Sequence, residues 1–431
     1  MKKPAKQLWL VLGPLFVAAL LCLLVFAYPW SGKRSQATLQ RAAVSLSNVV
    51  FKNRDLKVQA LSDKSKHYVA FFGSSELNRM DKYHPSVMAA KYHNYTPFLF
   101  GSRGTQSLPQ MLNMTMMSKQ LTNKKAVFII SPQWFTKPGV DKTAFAYYTG
   151  SYSDIYWLLQ ANPKSAYDRY TAQRLIDLLG TDGTIPNAAK RIASGKVLTD
   201  FERQWLSFRM SLLAHEDNLF SGYFLNNNYQ KKIVPGEEAL PVTYNYSKLY
   251  QQAAKDKAKQ SKNNHLGIID SFYRKQLRGK YWSTKNSQRH FDYYKSPEYG
   301  DFETVLKQFQ KTNTNVIFVI TPVNEKWEKH TGMSMKMYYQ TVNKIKFQLQ
   351  SQGFNNIVDF SHKGNQSSFM NDTIHLGWSG WVDFDRQVSR FIENKQASPN
   401  YHVNDVFLSK KWTNLIPTTN NLKQFQKTEL K

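Results

Sequence analysis

Residues 67–77 read HYVAFFGSSEL. The run from Tyr68 to Phe72 is apolar without a break, and Gly73-Ser74-Ser75 closes it. A short, uninterrupted apolar run bounded by turn residues is how a strand covered on both faces reads. Four more runs share this character: PFLFG at 97–101, KAVFIIS at 125–131, NVIFVIT at 315–321 and NIVDF at 356–360. Segments of helical period lie between them, at about 84–93, 107–121, 301–313, 335–352 and 379–395. Strands alternating with helices predict an α/β fold, with a central parallel sheet and helices on both faces.

The pattern changes between about 140 and 300. Segments such as SAYDRYTAQRLIDLLG and DFERQWLSFRMSLLAHEDNLF are helical in period and rich in aromatics, and no strand run of comparable strength occurs. This predicts a helical insertion between the third and fourth strands. The polar, basic stretch 251–264 reads as a solvated helix face or loop. Residues 31–60 read as a helical stalk, residues 61–396 as the main domain, and residues 397–431 as a polar tail.

The chain begins with an apolar span. Leu8 to Trp30 is 23 residues without a charge. At 1.5 Å per residue it is long enough to cross a hydrocarbon core of about 30 Å. Trp9, Tyr28 and Trp30 sit near its ends, where interfacial aromatics prefer to lie. A cleaved signal peptide is the alternative, but the run is long for one and no small-x-small site follows. Residues 1–30 are therefore expected to be a single-pass anchor. Lys2, Lys3 and Lys6 precede the span, while Lys33, Arg34 and Arg41 follow it, so the charge rule votes weakly on orientation. The usual arrangement is a short N-terminus in the cytoplasm and a large domain outside.

The 431 residues carry 58 Lys and Arg against 30 Asp and Glu, a net charge of +28. Aromatics at 14% exclude a disordered basic tail. Removing the anchor leaves 55 basic against 30 acidic residues, so the domain itself carries +25. That charge fits poorly with an enzyme acting on neutral metabolites and points to an anionic partner: nucleic acid, lipid or polymer. No zinc, helix-turn-helix or RNP signature supports nucleic acid. The single cysteine, Cys22, lies in the span, so the domain has no disulfide and no cysteine nucleophile. The ten His are scattered without metal-ligand spacing, and no phosphate-binding glycine loop occurs, so neither metal nor cofactor is expected. His84 and His93 read as surface or packing residues.

Three features could carry chemistry. Ser75 follows the first strand, and in parallel sheets ligands bind at the carboxyl ends of strands. A serine there serves as a nucleophile or, as the commoner alternative, as a helix N-cap. Asp372-Thr373-Ile374-His375 precedes a helix, and an Asp and His three apart on a turn can meet side chain to side chain. The carboxylate would then fix the imidazole tautomer and leave the second nitrogen for a serine proton. Oxyanion donors could come from the second and third strand ends, GSRGT at 101–105 and SPQWF at 131–135. Taken singly, Gly104 is a turn glycine and Gln133 a loop polar residue.

Together these parts resemble the SGNH hydrolase/acyltransferase fold. The resemblance implies Ser75 as nucleophile, although Gly73-Ser74-Ser75 stands where that family has Gly-Asp-Ser. It implies Gly104 and the Ser75 N–H as oxyanion donors, and Asp372 and His375 as orienter and base. Gln133 stands where the family has Asn. The anchor, GSSEL, FIISPQWF and HLGWSGW also resemble the DltD family, which acts in D-alanyl-lipoteichoic acid biosynthesis in Gram-positive bacteria, over about residues 1–395. That resemblance implies acyl transfer of D-alanine to lipoteichoic acid. The implied partners are the membrane-bound O-acyltransferase DltB and, indirectly, the D-alanyl carrier protein DltC. Glu76, next to the serine, is expected to contact the D-alanyl ammonium, with helix-dipole stabilisation as the alternative. Arg103, between the two glycines of GSRGT, is read as a contact for a substrate phosphate, with a salt bridge or plain exposure as the alternative. An esterase or thioesterase and a non-catalytic adaptor remain rival readings.

Overall fold

The computed structural model describes residues 3–27, 32–366 and 368–430. Five strands form one sheet: β1 (Tyr68–Phe72), β2 (Thr96–Phe100), β3 (Lys125–Ile130), β4 (Asn315–Ile320) and β5 (Ile357–Asp359). Each lies on one of the five apolar runs. Their order is β2-β1-β3-β4-β5, and every pairing is parallel. From β1 the chain moves first to one side and then to the other. The β1–β3 gap is therefore the topological switch point, where the crevice at the strand carboxyl ends opens.

The uninterrupted apolar runs have a physical cause. Along β1, Ala70 and Phe72 point into one core, while Val69 and Phe71 point into a second. The same split separates Phe128 from Val127 in β3 and Phe318 from Val319 in β4. Helices Ser107–Met116, Glu298–Thr312 and Met335–Gln350 cover the first face, and Pro85–Tyr92 and Ser379–Glu393 cover the second. Phe128 anchors the first core, with its ring 5.8 Å from Phe302, 5.9 Å from Phe318 and 6.0 Å from Phe72. Between Pro132–Trp134 and Glu298–Thr312 the described regular structure is entirely helical.

Two segments differ from the sequence expectation. Residues 36–62 are helical, but they do not stand off as a stalk. Leu39, Ala42, Phe51, Leu56 and Ala60 are buried in the first core. Buried Lys57 donates to Phe51 O at 3.0 Å and to Asn113 Oδ1, and its pKa falls to about 7 through burial. Residues 397–430 are likewise not a loose tail. Phe407, Trp412 and Phe425 are buried together, with Trp412 4.8 Å from Phe425, and Trp412 Nε1 donates to Gln348 at 2.9 Å. The helices here are short and their apolar residues irregularly spaced, so periodicity did not reveal the packing.

The N-terminal helix Lys3–Ala27 contains one apolar stretch, Lys6–Val25, with mean hydropathy 2.7 and only 6% of it buried. Its length and composition suit either a single-pass anchor or a signal sequence. Tyr28 and Trp30, expected at the far interface, lie outside the described residues.

Candidate active site

β1 ends in a tight turn. Gly73 N–H donates to Phe100 O at 3.0 Å, and Gln110 Nε2 bonds both Gly73 O and Phe100 O. This draws the tips of β1 and β2 together. A Cβ on Gly101 would lie 2.4 Å from the Gly73 carbonyl carbon, so only glycine permits the approach. Ser74 occupies the N-cap position of the 3₁₀ turn Ser75–Asn78, and its Oγ donates to Ser102 O at 3.2 Å. Ser75 is thus the first residue of the turn and not its cap. Its half-buried side chain meets His375, with Oγ 2.7 Å from Nε2.

His375 and Asp372 sit on a tight loop held by the antiparallel bridge Met370–Leu376 and by Asn371 N–H to His375 O at 2.8 Å. His375 Nδ1 lies 2.7 Å from Asp372 Oδ1. That oxygen also accepts the backbone N–H groups of Ile374 and His375, each at 3.1 Å. With Nδ1–H committed to the carboxylate, Nε2 is the nitrogen free to accept a proton. Burial alone would raise the Asp372 pKa. The His375 imidazole and the Arg79 guanidinium outweigh it and hold the acid at about 2. The geometry therefore permits a proton to pass from Ser75 Oγ to an imidazole oriented by an ionised carboxylate.

Sequence reasoning missed the residues that join the two halves. Arg79 Nε donates to Asp372 Oδ2 at 2.8 Å. Asp81 Oδ2 accepts the Trp378 N–H at 2.7 Å, and Trp381 Nε1 donates to Arg79 O at 3.1 Å. These three bonds staple residues 79–81, just past Ser75, to residues 372–381. Trp378 has φ of 46°, a left-handed backbone costing a non-glycine residue roughly 1–3 kcal/mol. The bond to Asp81 offsets part of that cost. The available signal was an Arg and an Asp within six residues of the serine, but nothing local says what they meet 293 and 297 residues away.

Gly104 has φ of 86° in the turn after β2, which glycine adopts freely. Gln133 begins just past β3, and Ser131 Oγ donates to its Oε1 at 3.0 Å. That bond makes Nε2 the end of the amide available as a donor. Glu76 turns inward. Its carboxylate is buried and accepts the Ser74 N–H at 2.5 Å, and burial raises its pKa. It steadies the turn that carries Ser75 from inside the fold, which leaves it badly placed for the expected contact with an ammonium. The Arg103 side chain is exposed, while its carbonyl accepts the Tyr148 hydroxyl at 2.7 Å.

His84 lies buried and neutral, its pKa lowered to about 3 by burial, with Nδ1 capping the helix Pro85–Tyr92. His93 pairs with Asp385 at 3.0 Å. Neither touches Ser75, His375 or Asp372. Among the described residues no group of three His, Cys, Asp or Glu could hold a metal ion. A cleft of about 530 Å³ adjoins the site, lined by Arg79, Lys82, Asp256, Lys259, Asn371 and Trp378 among others. Arg79 is shared between this cleft and Asp372.

Residues 43–393 match the family model described as DltD protein. The chain is 42% identical over 419 residues to protein DltD of Lacticaseibacillus rhamnosus, covering 96% of this chain and 98% of that protein. It is 31% identical over 396 residues to protein DltD of Bacillus subtilis strain 168, covering 90% and 98%. It is 24% identical over 393 residues to protein DltD of Staphylococcus aureus, covering 90% and 95%.

Proposed function

The chain belongs to the DltD family, and on that premise we propose that it is a membrane-anchored serine O-acyltransferase in the D-alanylation of lipoteichoic acid. The observation that carries this reading is the 2.7 Å contact of Ser75 Oγ with a His375 already bound to Asp372. The sheet with its strand-end serine further supports an SGNH-like fold.

Two half-reactions follow. His375 Nε2 takes the Ser75 proton as Oγ attacks the carbonyl of a D-alanyl donor supplied through DltB, which is itself fed from the carrier protein DltC. The same proton passes to the leaving group, and D-alanine remains as an ester on Ser75. A glycerol hydroxyl of lipoteichoic acid then gives its proton to His375 and attacks that ester. The polymer leaves carrying D-alanine, and Ser75 regains its proton. In both tetrahedral states the oxyanion is held by the N–H groups of Ser75 and Gly104 and by Gln133 Nε2. Each such donor is worth roughly 3–4 kcal/mol.

The charge of +28 suits a polyanionic acceptor. Lys82 and Lys259 in the cleft beside Arg79 suit its phosphates, and exposed Arg103 is a further contact for them. The domain faces outward, with the N-terminus in the cytoplasm and Lys6–Val25 as the anchor.

Complementing a deletion strain with Ser75→Ala or His375→Ala tests the reading. D-alanine esters on teichoic acid should be lost, and normal levels with both variants would refute it. Hydrolysis at the same site, as an esterase or thioesterase, is separated by product analysis with and without lipoteichoic acid. An adaptor role would leave Ser75 unlabelled by a fluorophosphonate in the folded protein.

A further inference from the structure

The helix Asp200–Phe220 carries apolar residues on two opposite sides. Leu206, Met210 and Leu213 face the main core, where Leu206 is buried and the other two pack against it. Phe201, Trp205, Phe208 and Leu212 recur at the same helical spacing, roughly 140° further round at 100° per residue. This outer stripe is exposed, Phe201 at 77% and Phe208 at 55%. Trp205 and Phe208 touch each other, with ring centroids 5.9 Å apart. Just past the helix, Tyr223 and Phe224 are 75% and 67% exposed. A stripe of exposed aromatic residues along one helix face on the outside of a domain marks an interaction site.

Its place in the fold indicates the occupant. Arg34 follows the last residue of the apolar N-terminal helix, Ala27, by seven positions. Its guanidinium reaches Asn218 O and Ser221 Oγ at the end of the 200–220 helix, and its Nε pairs with Asp55 at 2.7 Å. Asp217, on the last turn of the same helix, accepts the N–H groups of Arg54 and Asp55 at 2.7 Å each. Seven residues reach at most about 25 Å when fully extended. The end of the helix is thus leashed to the end of the apolar span. Lys33 is exposed just after the span, and Lys196 and Arg203 are exposed around the start of the 200–220 helix. Aromatic residues flanked by basic ones, on a helix next to a membrane span, suit the lipid headgroup layer.

We propose that the outer stripe Phe201–Trp205–Phe208–Leu212 lies in the interface of the bilayer that the N-terminal helix spans, as a second, monotopic contact fixing the tilt of the domain. This rests on Lys6–Val25 being an uncleaved anchor. It is independent of the chemistry at Ser75.

The test uses the full chain in proteoliposomes of phosphatidylglycerol and cardiolipin. An environment-sensitive fluorophore is attached at native Cys22, or at single cysteines in Cys22→Ser/Phe208→Cys and Cys22→Ser/Lys423→Cys. Brominated lipids should quench the label at 22 and at 208, with blue-shifted emission, and leave the exposed site at 423 untouched. Quenching at 22 alone overturns the proposal while leaving the anchor intact. Quenching at none of the three overturns the anchor and the proposal with it. Shielding at 208 that appears only when the membrane acyltransferase is co-reconstituted assigns the stripe to protein and overturns the lipid assignment.

Discussion

Replacing Asp372 with Asn removes one charge from the buried end of the relay and almost no volume. The carboxylate now accepts Nδ1–H of His375 at 2.7 Å, two backbone N–H groups at 3.1 Å and Arg79 Nε at 2.8 Å. An amide supplies one acceptor oxygen and an NH₂ that only donates. In either orientation its NH₂ faces donors, the Arg79 guanidinium or the backbone N–H pair. The charge matters most when His375 becomes an imidazolium. For charges about 3–4 Å apart at an effective dielectric of about 20, the lost attraction is about 4–5 kcal/mol. That is a rate loss of about 10³- to 10⁴-fold, similar in size to the ~10⁴ that the same exchange costs a serine-protease triad, where the wrong imidazole tautomer is the cause. The assay is the rate of fluorophosphonate labelling of Ser75 followed by mass spectrometry, which needs no natural donor, alongside a melting curve to show that the variant folds. A folded Asp372→Asn protein labelled within about tenfold of wild type would refute a relay through this carboxylate.

Other outcomes follow from the same geometry. The Asp372 pKa is depressed from 3.8 to about 2, so its charge stabilises the fold above pH ~4 by about 2 kcal/mol, and this is lost as pH falls toward 2. The stability gap between wild type and Asp372→Asn in denaturant titrations should shrink over that window and stay flat above it. Gly104→Ala forces a left-handed backbone on alanine and sets its Cβ 3.0 Å from that of Ala144, so it should destabilise by about 1–2 kcal/mol and slow labelling of Ser75. Phe128→Ala opens a cavity at the centre of the first core and should cost about 3–5 kcal/mol by denaturant midpoint, without changing which serine is labelled. Arg103→Ala should leave stability within about 0.5 kcal/mol while weakening binding to lipoteichoic acid, with the largest difference at low salt.

The sheet was legible because β1 to β4 are buried on both faces, which leaves an unmistakable apolar run such as KAVFIIS. Ser75, Asp372 and His375 were legible because they sit at strand ends or on a turn, where polar residues interrupt such runs. Arg79 and Asp81 were not, since their partners lie in a segment nearly 300 residues away and surface ion pairs look the same in one dimension. Glu76 was expected to meet substrate because it stands next to the candidate serine, whereas its carboxylate folds back onto the Ser74 N–H. The packing of residues 36–62 and 405–430 depends on single large side chains, Phe51, Trp412 and Phe425, which leave no periodic trace.

The account depends most on Ser75 carrying the acyl group. Incubating the full chain with a D-alanyl donor, quenching in acid and mapping peptides by mass tests this directly. The account predicts one alanyl residue on the peptide containing Ser75, absent from Ser75→Ala and lost again on adding lipoteichoic acid. An alanyl adduct that persists in Ser75→Ala, or transfer to the polymer with no adduct on Ser75, would contradict it.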